Sequence, residues 1–481
     1  MIAKEIRALL PMWTICAVAV VASPYQVRSL TYLGLAFYLA GASGLGAWSV
    51  GHEYAHGTMG SMLALPVQRR RWWIVKLATL APLLASLAAL AGFFVILDRG
   101  DWTLGAGLFW LPALAALCVA PWLTLVTRSS LAGAVFTLGL VGFSIALGEW
   151  IGVYRYGFTR EVDEFRRMFM LWAVGGLSIV GAVAGWRTFK GLEDTGDRGR
   201  DLQLLARSPA SASTARLRRQ RPWVALVLKE LRLQQLAIIV AAVYTMGNVA
   251  VLFLGRVVPG LYGVVELLIA LYVITTPALI GSLACAEERQ FGTHDSQLLL
   301  PITASQQWLV KSATAIGLAL LIALLLPAAL SRLLPPEALH LGPNGRFVTV
   351  QTAMIVLGCV SVSLYVSALA RNGLTALMYS IAAIPVLGYS EAQVAVWLGN
   401  KAFRMVHQAR PAHVHHLLFV PGVYFSIPAF VVFCAAIVAL ALPHYRYVDR
   451  RPGLVVLHAA AIATGLVVYN VAMNVLMALR F

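Results

Sequence analysis

The sequence predicts an all-α polytopic integral membrane protein, and three observations carry that prediction. Only 12% of its 481 residues are charged while 60% are hydrophobic, and the mean hydropathy is +0.79. Soluble globular chains carry about twice that share of charge. The apolar residues run continuously for about 18–25 positions at a time instead of alternating, which favours spanning helices over a barrel. A polar, turn-rich segment also occurs twice, each time between two such runs.

Taken in chain order, Met1 to Leu10 predicts a short interfacial helix that leads into a first span. Its basic start resembles a signal peptide, but Lys4-Glu5-Ile6-Arg7 returns as Lys229-Glu230-Leu231-Arg232. An internal copy cannot be a signal peptide, so the first is expected to be a retained anchor. Spans follow near 11–24, 30–50, 74–97, 103–126, 131–153 and 168–186, then near 236–254, 263–285, 309–331, 348–370, 374–391, 421–442 and 454–478. The expected layout is two pseudo-symmetric bundles of six transmembrane helices, residues 1–190 and 223–450. A cytoplasmic basic linker, 191–222, joins them, and an additional C-terminal transmembrane helix occupies 451–481. The small-residue cluster Gly41, Ser43, Gly44 and Gly46, matched in part by Gly281 and Ser282, suits close helix–helix approach.

The net charge of +17 does not point to nucleic acid, because Lys and Arg collect near span ends, where anionic lipid headgroups act. Arg69, Arg70, Arg71, Arg128, Arg371 and the linker arginines Arg216, Arg218, Arg219 and Arg221 all fall on one side if the N-terminus is cytoplasmic. The positive-inside rule therefore puts both repeated segments in the cytoplasm and Phe481 outside, in a cell (plasma or inner) membrane. The five cysteines, Cys16, Cys118, Cys285, Cys359 and Cys434, lie in or at the ends of apolar runs and show no metal-ligand spacing, so they predict packing residues.

The repeated segments are Gly51 to Lys76 and Ala286 to Lys311. Laid over each other at a constant offset of 235, they match Glu53 with Glu288, Gly57-Thr58 with Gly292-Thr293, Leu65-Pro66 with Leu300-Pro301, Trp73 with Trp308 and Lys76 with Lys311. An ungapped offset over so many matches indicates duplication. Each segment decomposes physically. Gly57 and Gly292 suit the left-handed end of the preceding helix. Thr58 and Thr293 are placed to N-cap a short new helix, which ends before Pro66 or Pro301. Trp73 and Trp308 are expected at the headgroup level, with Lys76 and Lys311 snorkelling to it as membrane-interface anchors. Leu63, Leu65, Leu298, Leu299 and Leu300 would be offered to a partner groove or to lipid.

The run Glu53…Gly57-Thr58…Leu65-Pro66…Lys76, repeated as Glu288…Gly292-Thr293…Leu300-Pro301…Lys311, resembles the cytoplasmic loop of type-2 ABC transporter permeases. In that family the loop between the second and third of six spans holds a coupling helix that docks on an ATP-hydrolysing subunit. The resemblance implies that Glu53, Gly57, Thr58, Leu63, Leu65, Pro66, Glu288, Gly292, Thr293, Leu298, Leu300 and Pro301 couple this chain to a cytoplasmic ABC ATPase subunit, expected in two copies. ATP and Mg would then sit on that partner, and the chain itself would be a transport subunit and not an enzyme. The chain departs from the pattern after the second proline, where Ser305 and Gln306 replace the usual basic residue, and in its extra last span. It has no G-x-x-x-x-G-K-[ST] phosphate loop, Gly191 to Gly196 being followed by Asp197.

Rival readings rest on other residues. His52-Glu53-Tyr54-Ala55-His56 satisfies H-E-x-x-H, the ligand-and-base pattern of zinc proteases, yet the second copy has Glu287 and Phe291 where the histidines stand. His407, His413, His415 and His416 form an outer-loop cluster; a loop rich in His, Arg and Trp at a membrane surface is the plainer reading, and metal binding or a response to pH is the alternative. Glu149 and Glu266 are the candidates for intramembrane carboxylates lining a translocation path, with a place at the outer interface the equal alternative for Glu266. An ion-coupled secondary transporter would need more such residues near the midplane than the spans contain.

Overall fold

The computed structural model describes residues 2–22, 31–64, 66–99, 102–156, 160–192, 222–255, 262–290, 292–294, 302–332, 349–384, 421–446 and most of 454–465. Among these residues the chain is all-helical, without strands. The N-terminal half forms α1 (Ile2–Ala22), α2 (Thr31–Ala55), α3 (Met59–Leu63), α4 (Arg69–Arg99), α5 (Trp102–Thr127), α6 (Ser130–Tyr156) and α7 (Arg160–Lys190). The C-terminal half forms α8 (Pro222–Leu233), α9 (Gln235–Gly255), α10 (Tyr262–Gln290), α11 (Ala304–Ser331), α12 (Thr349–Leu369), α13 (Gly373–Ile384) and α14 (Pro421–Arg446). Five stretches are long and apolar enough to cross a membrane, Arg69–Phe93, Phe109–Thr127, Glu164–Lys190, Ala304–Ser331 and Thr352–Leu369, and four shorter apolar helices accompany them among the described residues. The protein is embedded in a membrane.

The start of the chain corrects one expectation. No break separates an interfacial helix from the first span: α1 runs unbroken through Pro11, with the Thr14 hydroxyl donating to the Pro11 carbonyl at 2.8 Å. The copy in the second half does break, at Gln234, between amphipathic α8 and apolar α9. There the Gln234 side-chain amide donates to the Ile280 carbonyl of α10 at 3.0 Å.

Small residues set how closely the helices approach. A Cβ on Gly46 would lie 2.1 Å from the Ala116 carbonyl oxygen, so α2 meets the backbone of α5 directly. At the matching position, a Cβ on Gly281 would lie 2.5 Å from Ser363 Cβ, and α10 meets α12 in the same way. Close backbone approach through small residues is the usual packing solution where lipid provides no hydrophobic drive between helices. Among the described residues none of the five cysteines is in a disulfide, and all but Cys118 are buried. The halves meet where Met378 of α13 packs over Gly44 of α2, and Leu131 of α6 over Gly373.

One irregularity lies in α11, which opens into a π-turn over Leu320–Leu325. The Tyr272 hydroxyl takes up the Ile322 carbonyl there at 3.3 Å. The linker 193–221, the loop 385–420 with its histidines, Leu65, Leu298, Leu299, Leu300 and Pro301 lie outside the described residues, as do the side chains of Glu149 on α6 and Glu266 on α10.

Candidate functional site

Both repeated segments begin with the same helix stop. Gly57 has φ +64° and Gly292 φ +67°, a left-handed geometry that glycine adopts without a Cβ penalty. It turns the Thr58 amide back to the Glu53 carbonyl at 2.9 Å and the Thr293 amide back to the Glu288 carbonyl at 3.0 Å. This six-to-one bond, with the flanking Gly57-to-Tyr54 and Gly292-to-Arg289 bonds, is a Schellman closure that satisfies the last carbonyls of α2 and α10. The short helix α3 follows and ends before Pro66.

Beneath each stop lies a buried ionic cluster built from three helices. In the first half the Lys76 ammonium of α4 is 1% exposed and 2.9 Å from Glu5 Oε1 of α1 and 3.4 Å from Glu53 Oε1 of α2. Its third contact is the Ser49 carbonyl, at 3.1 Å. In the second half Lys311 of α11 lies 2.8 Å from Glu230 Oε2 of α8 and 2.9 Å from Glu288 Oε1 of α10. Its remaining contact is the Ala284 carbonyl, at 2.7 Å, and Ala284 matches Ser49 at the same offset of 235. An ammonium has three donors and no acceptor, and in both halves each donor finds an oxygen. Lys4 and Lys229 complete the construction from the surface, pairing with Glu53 and Glu288. A lone buried charge would be strongly unfavourable; a lysine shared between two carboxylates and a carbonyl is compensated.

The clusters set the ionisation of their carboxyls. Burial works to raise Glu53, but His52 and Thr58, together with Lys76 and Lys4, outweigh it and hold the group well below the ordinary carboxylate range. Burial likewise opposes ionisation of Glu288, and His294, Lys311 and Lys229 overcome it, holding the group at about 2. Glu230 moves the other way. Burial pushes it up, Lys311 pulls it down, and the nearby Glu288 charge pushes it up again.

Several residues have other surroundings than their sequence suggests. Lys76 and Lys311 do not snorkel to the headgroups; both are buried, because carboxylates from two other helices reach them. Trp73 and Trp308 are 6% and 5% exposed and are not headgroup markers either. Trp73 packs against Phe189 of α7, and the Trp308 indole donates to the Val438 carbonyl of α14 at 3.1 Å. Thr58 sits at the N-cap of α3 without making a side-chain cap; its hydroxyl donates to the Glu53 carboxylate. Leu63 is half-buried and packs with Met59, Met62, Trp72 and Trp73 in a small core of its own, so α3 turns its apolar side inward. Gln306, where the family pattern has a basic residue, forms a reciprocal capping box with Thr303 at the start of α11, a Thr-x-x-Gln signal present in the sequence.

Glu5, Glu230, Lys4, Lys229 and His294 were not foreseen as site residues, although the repeated Lys-Glu start was the signal for four of them. The zinc arrangement is not assembled. Ligand atoms of Glu5, His52 and Glu53 gather within 4.8 Å of one another, but Lys76 and Lys4 already neutralise the two carboxylates. His56, the second histidine of H-E-x-x-H, is exposed and outside that group. These residues do not fit a metal ligand set. Comparison of the chain with protein-family models, with curated proteins and with solved structures finds no match.

Proposed function

We propose that this chain is the membrane-spanning permease subunit of an ATP-binding-cassette exporter, with two fused six-span halves and one extra span. A separate ATPase subunit docks from the cytoplasm on the two repeated loops. The observation that supports this best is the recurrence, in register, of one construction in both halves: a left-handed glycine stop, a carboxylate at the end of one span, a lysine at the start of the next, and a glutamate from a leading helix. A plain turn between spans needs none of these. Three elements locked through one buried ammonium move together, so force on the loop is transmitted to α1, α2 and α4, and likewise to α8, α10 and α11. The outward side of α3 carries Ser61, Ala64 and Pro66 beside Gln68 and Arg70, all exposed. That small, basic face suits an acidic groove on the ATPase.

The translocation path on this reading runs between α2 and α6 of one half and α10 and α13 of the other. Met378 over Gly44 and Leu131 over Gly373 then represent the closed path. The test is affinity purification of the full chain from native membranes. A phosphate-loop ATPase should co-elute and be lost on reversing charge at Arg70 and Arg71. Transport by the purified chain alone, with no ATPase present, would overturn the reading.

A further inference from the structure

Each ionic cluster contains a buried histidine whose hydrogen bonding is incomplete. His52 Nδ1 lies 2.9 Å from the Trp48 carbonyl oxygen. A carbonyl only accepts, so that nitrogen carries a proton. The other nitrogen, Nε2, faces Glu53 Oε1 at 3.2 Å and Glu5 Oε2 at 3.9 Å. In the second half His294 Nε2 lies 3.1 Å from the Tyr445 carbonyl oxygen of α14, and Nδ1 faces Glu288 Oε2 at 4.0 Å. His52 Nε2, Glu5 Oε2, His294 Nδ1 and Glu288 Oε2 are all buried and make no hydrogen bond. Both rings are 3% exposed.

In a neutral imidazole one nitrogen donates and the other presents a lone pair. With the carbonyl-facing nitrogen committed as donor, a neutral ring would aim its lone pair at a carboxylate. The other tautomer would aim a lone pair at a carbonyl instead. Only the doubly protonated ring serves both neighbours. The two histidines reach this arrangement from different places in the sequence, His52 just before its loop glutamate and His294 six residues after it. They are not a duplicated motif: His52 turns Nε2 to its carboxylate at 3.2 Å and His294 turns Nδ1 to its carboxylate at 4.0 Å, yet each ring lies between a main-chain carbonyl and the loop glutamate.

We propose that each repeated loop contains a buried proton-binding site, in which the imidazolium of His52 or His294 ties the loop glutamate to a main-chain carbonyl. Release of that proton turns a lone pair onto Glu53 or Glu288 and loosens the loop. The surrounding charges define the balance. His52 is faced by Glu5 of α1 and Glu53 of its own helix; Lys4 of α1 pairs with Glu53, and Lys76 of α4 with both carboxylates. His294 is faced by Glu288 of α10 and the Tyr445 ring of α14; Lys229 of α8 and Lys311 of α11 pair with that glutamate, and Glu230 of α8 pairs with Lys311. With both carboxylates and both lysines of a cluster ionised, the protonated ring leaves one net positive charge and the neutral ring none. The site is a property of the chain alone and stands whether or not an ATPase docks.

The test uses the full chain in detergent or nanodiscs with no partner. Nitrogen NMR on histidine-labelled protein follows the ring protonation of His52 and His294, assigned by the variants His52→Gln and His294→Gln. Hydrogen exchange, corrected for its intrinsic pH dependence, follows the amides of residues 53–58 and 288–293. Protection of each loop should fall roughly tenfold or more as its own histidine loses the proton. Each variant should abolish that step in its own loop and leave the other loop as the control. If either variant fails to insert, the other still decides. Loop protection that is unchanged while the ring becomes neutral, or a neutral ring throughout, would overturn the proposal.

Discussion

Replacing Lys76 by methionine keeps the length and the apolar stem of the side chain and deletes the charge. The ammonium is 1% exposed and meets Glu5 Oε1 at 2.9 Å and Glu53 Oε1 at 3.4 Å. At an effective dielectric of about 20, a unit-charge contact of 2.9 Å amounts to about 6 kcal/mol before desolvation is subtracted. Removing one partner leaves two buried carboxylates with Lys4 and the His52 ring to offset them, and a break of that kind costs about 3–5 kcal/mol. A cooperative unit of about 150–250 residues shifts about 2–4 °C per kcal/mol, so Lys76→Met should lower the midpoint by roughly 6–20 °C. Thermal unfolding in detergent, read by tryptophan fluorescence, measures this, with Trp72 and Trp73 close to the cluster. Adding Glu5→Gln should recover about 1–3 kcal/mol, because the second substitution removes the carboxylate that the first left unpaired. A single variant within about 1 kcal/mol of the parent, or two effects that simply add to within about 0.5 kcal/mol, would refute the claim that the buried ammonium holds the three helices.

The remaining predictions concern the helix stops, the helix contacts and acid. Gly57→Ala has open space around its new methyl but an unfavourable φ of +64°, so it should cost about 1 kcal/mol. Proline cannot adopt that φ, so Gly57→Pro should expose the loop to protease and uncouple transport; normal transport by Gly57→Pro and Gly292→Pro would count against coupling through the loops. Gly46→Leu and Gly281→Leu should abolish stable insertion, since even a Cβ would lie 2.1 Å or 2.5 Å from atoms of the facing helix; gel filtration of a fluorescent fusion reports it. Glu288 is held at about 2 against an ordinary 4.5, so between those values the folded state binds fewer protons than the unfolded chain. Its contribution is fully present above about pH 4.5 and lost as the pH falls towards about 2, and Glu288→Gln should flatten that part of the acid-unfolding profile.

Helix class, the presence of several membrane-length apolar helices and the two left-handed glycines were legible in the residues, because continuous apolar runs and a Gly-Thr step after a helix are local signals. The matched offset also located the loop glutamates and lysines correctly. What those lysines do was not legible. A lysine near a span end reads the same whether it reaches for headgroups or is enclosed by carboxylates. The deciding fact is where α1 and α8 lie, and no local pattern states it. Thr58 is similar: its position is that of a cap, but the hydroxyl meets a carboxylate turned towards it by the same helix stop.

The chain's composition and its internal duplication sufficed to specify a membrane-embedded helical protein with one loop construction used twice, since both depend only on residues near each other in sequence or on comparing the chain with itself. Three-dimensional packing alone decided that Glu5, Glu53 and Lys76 share one buried site, that Glu230, Glu288 and Lys311 repeat it, and that two unrelated histidines complete the pair. Those contacts join residues that a helix sequence leaves independent, and their energy exists only once water has been excluded from around them.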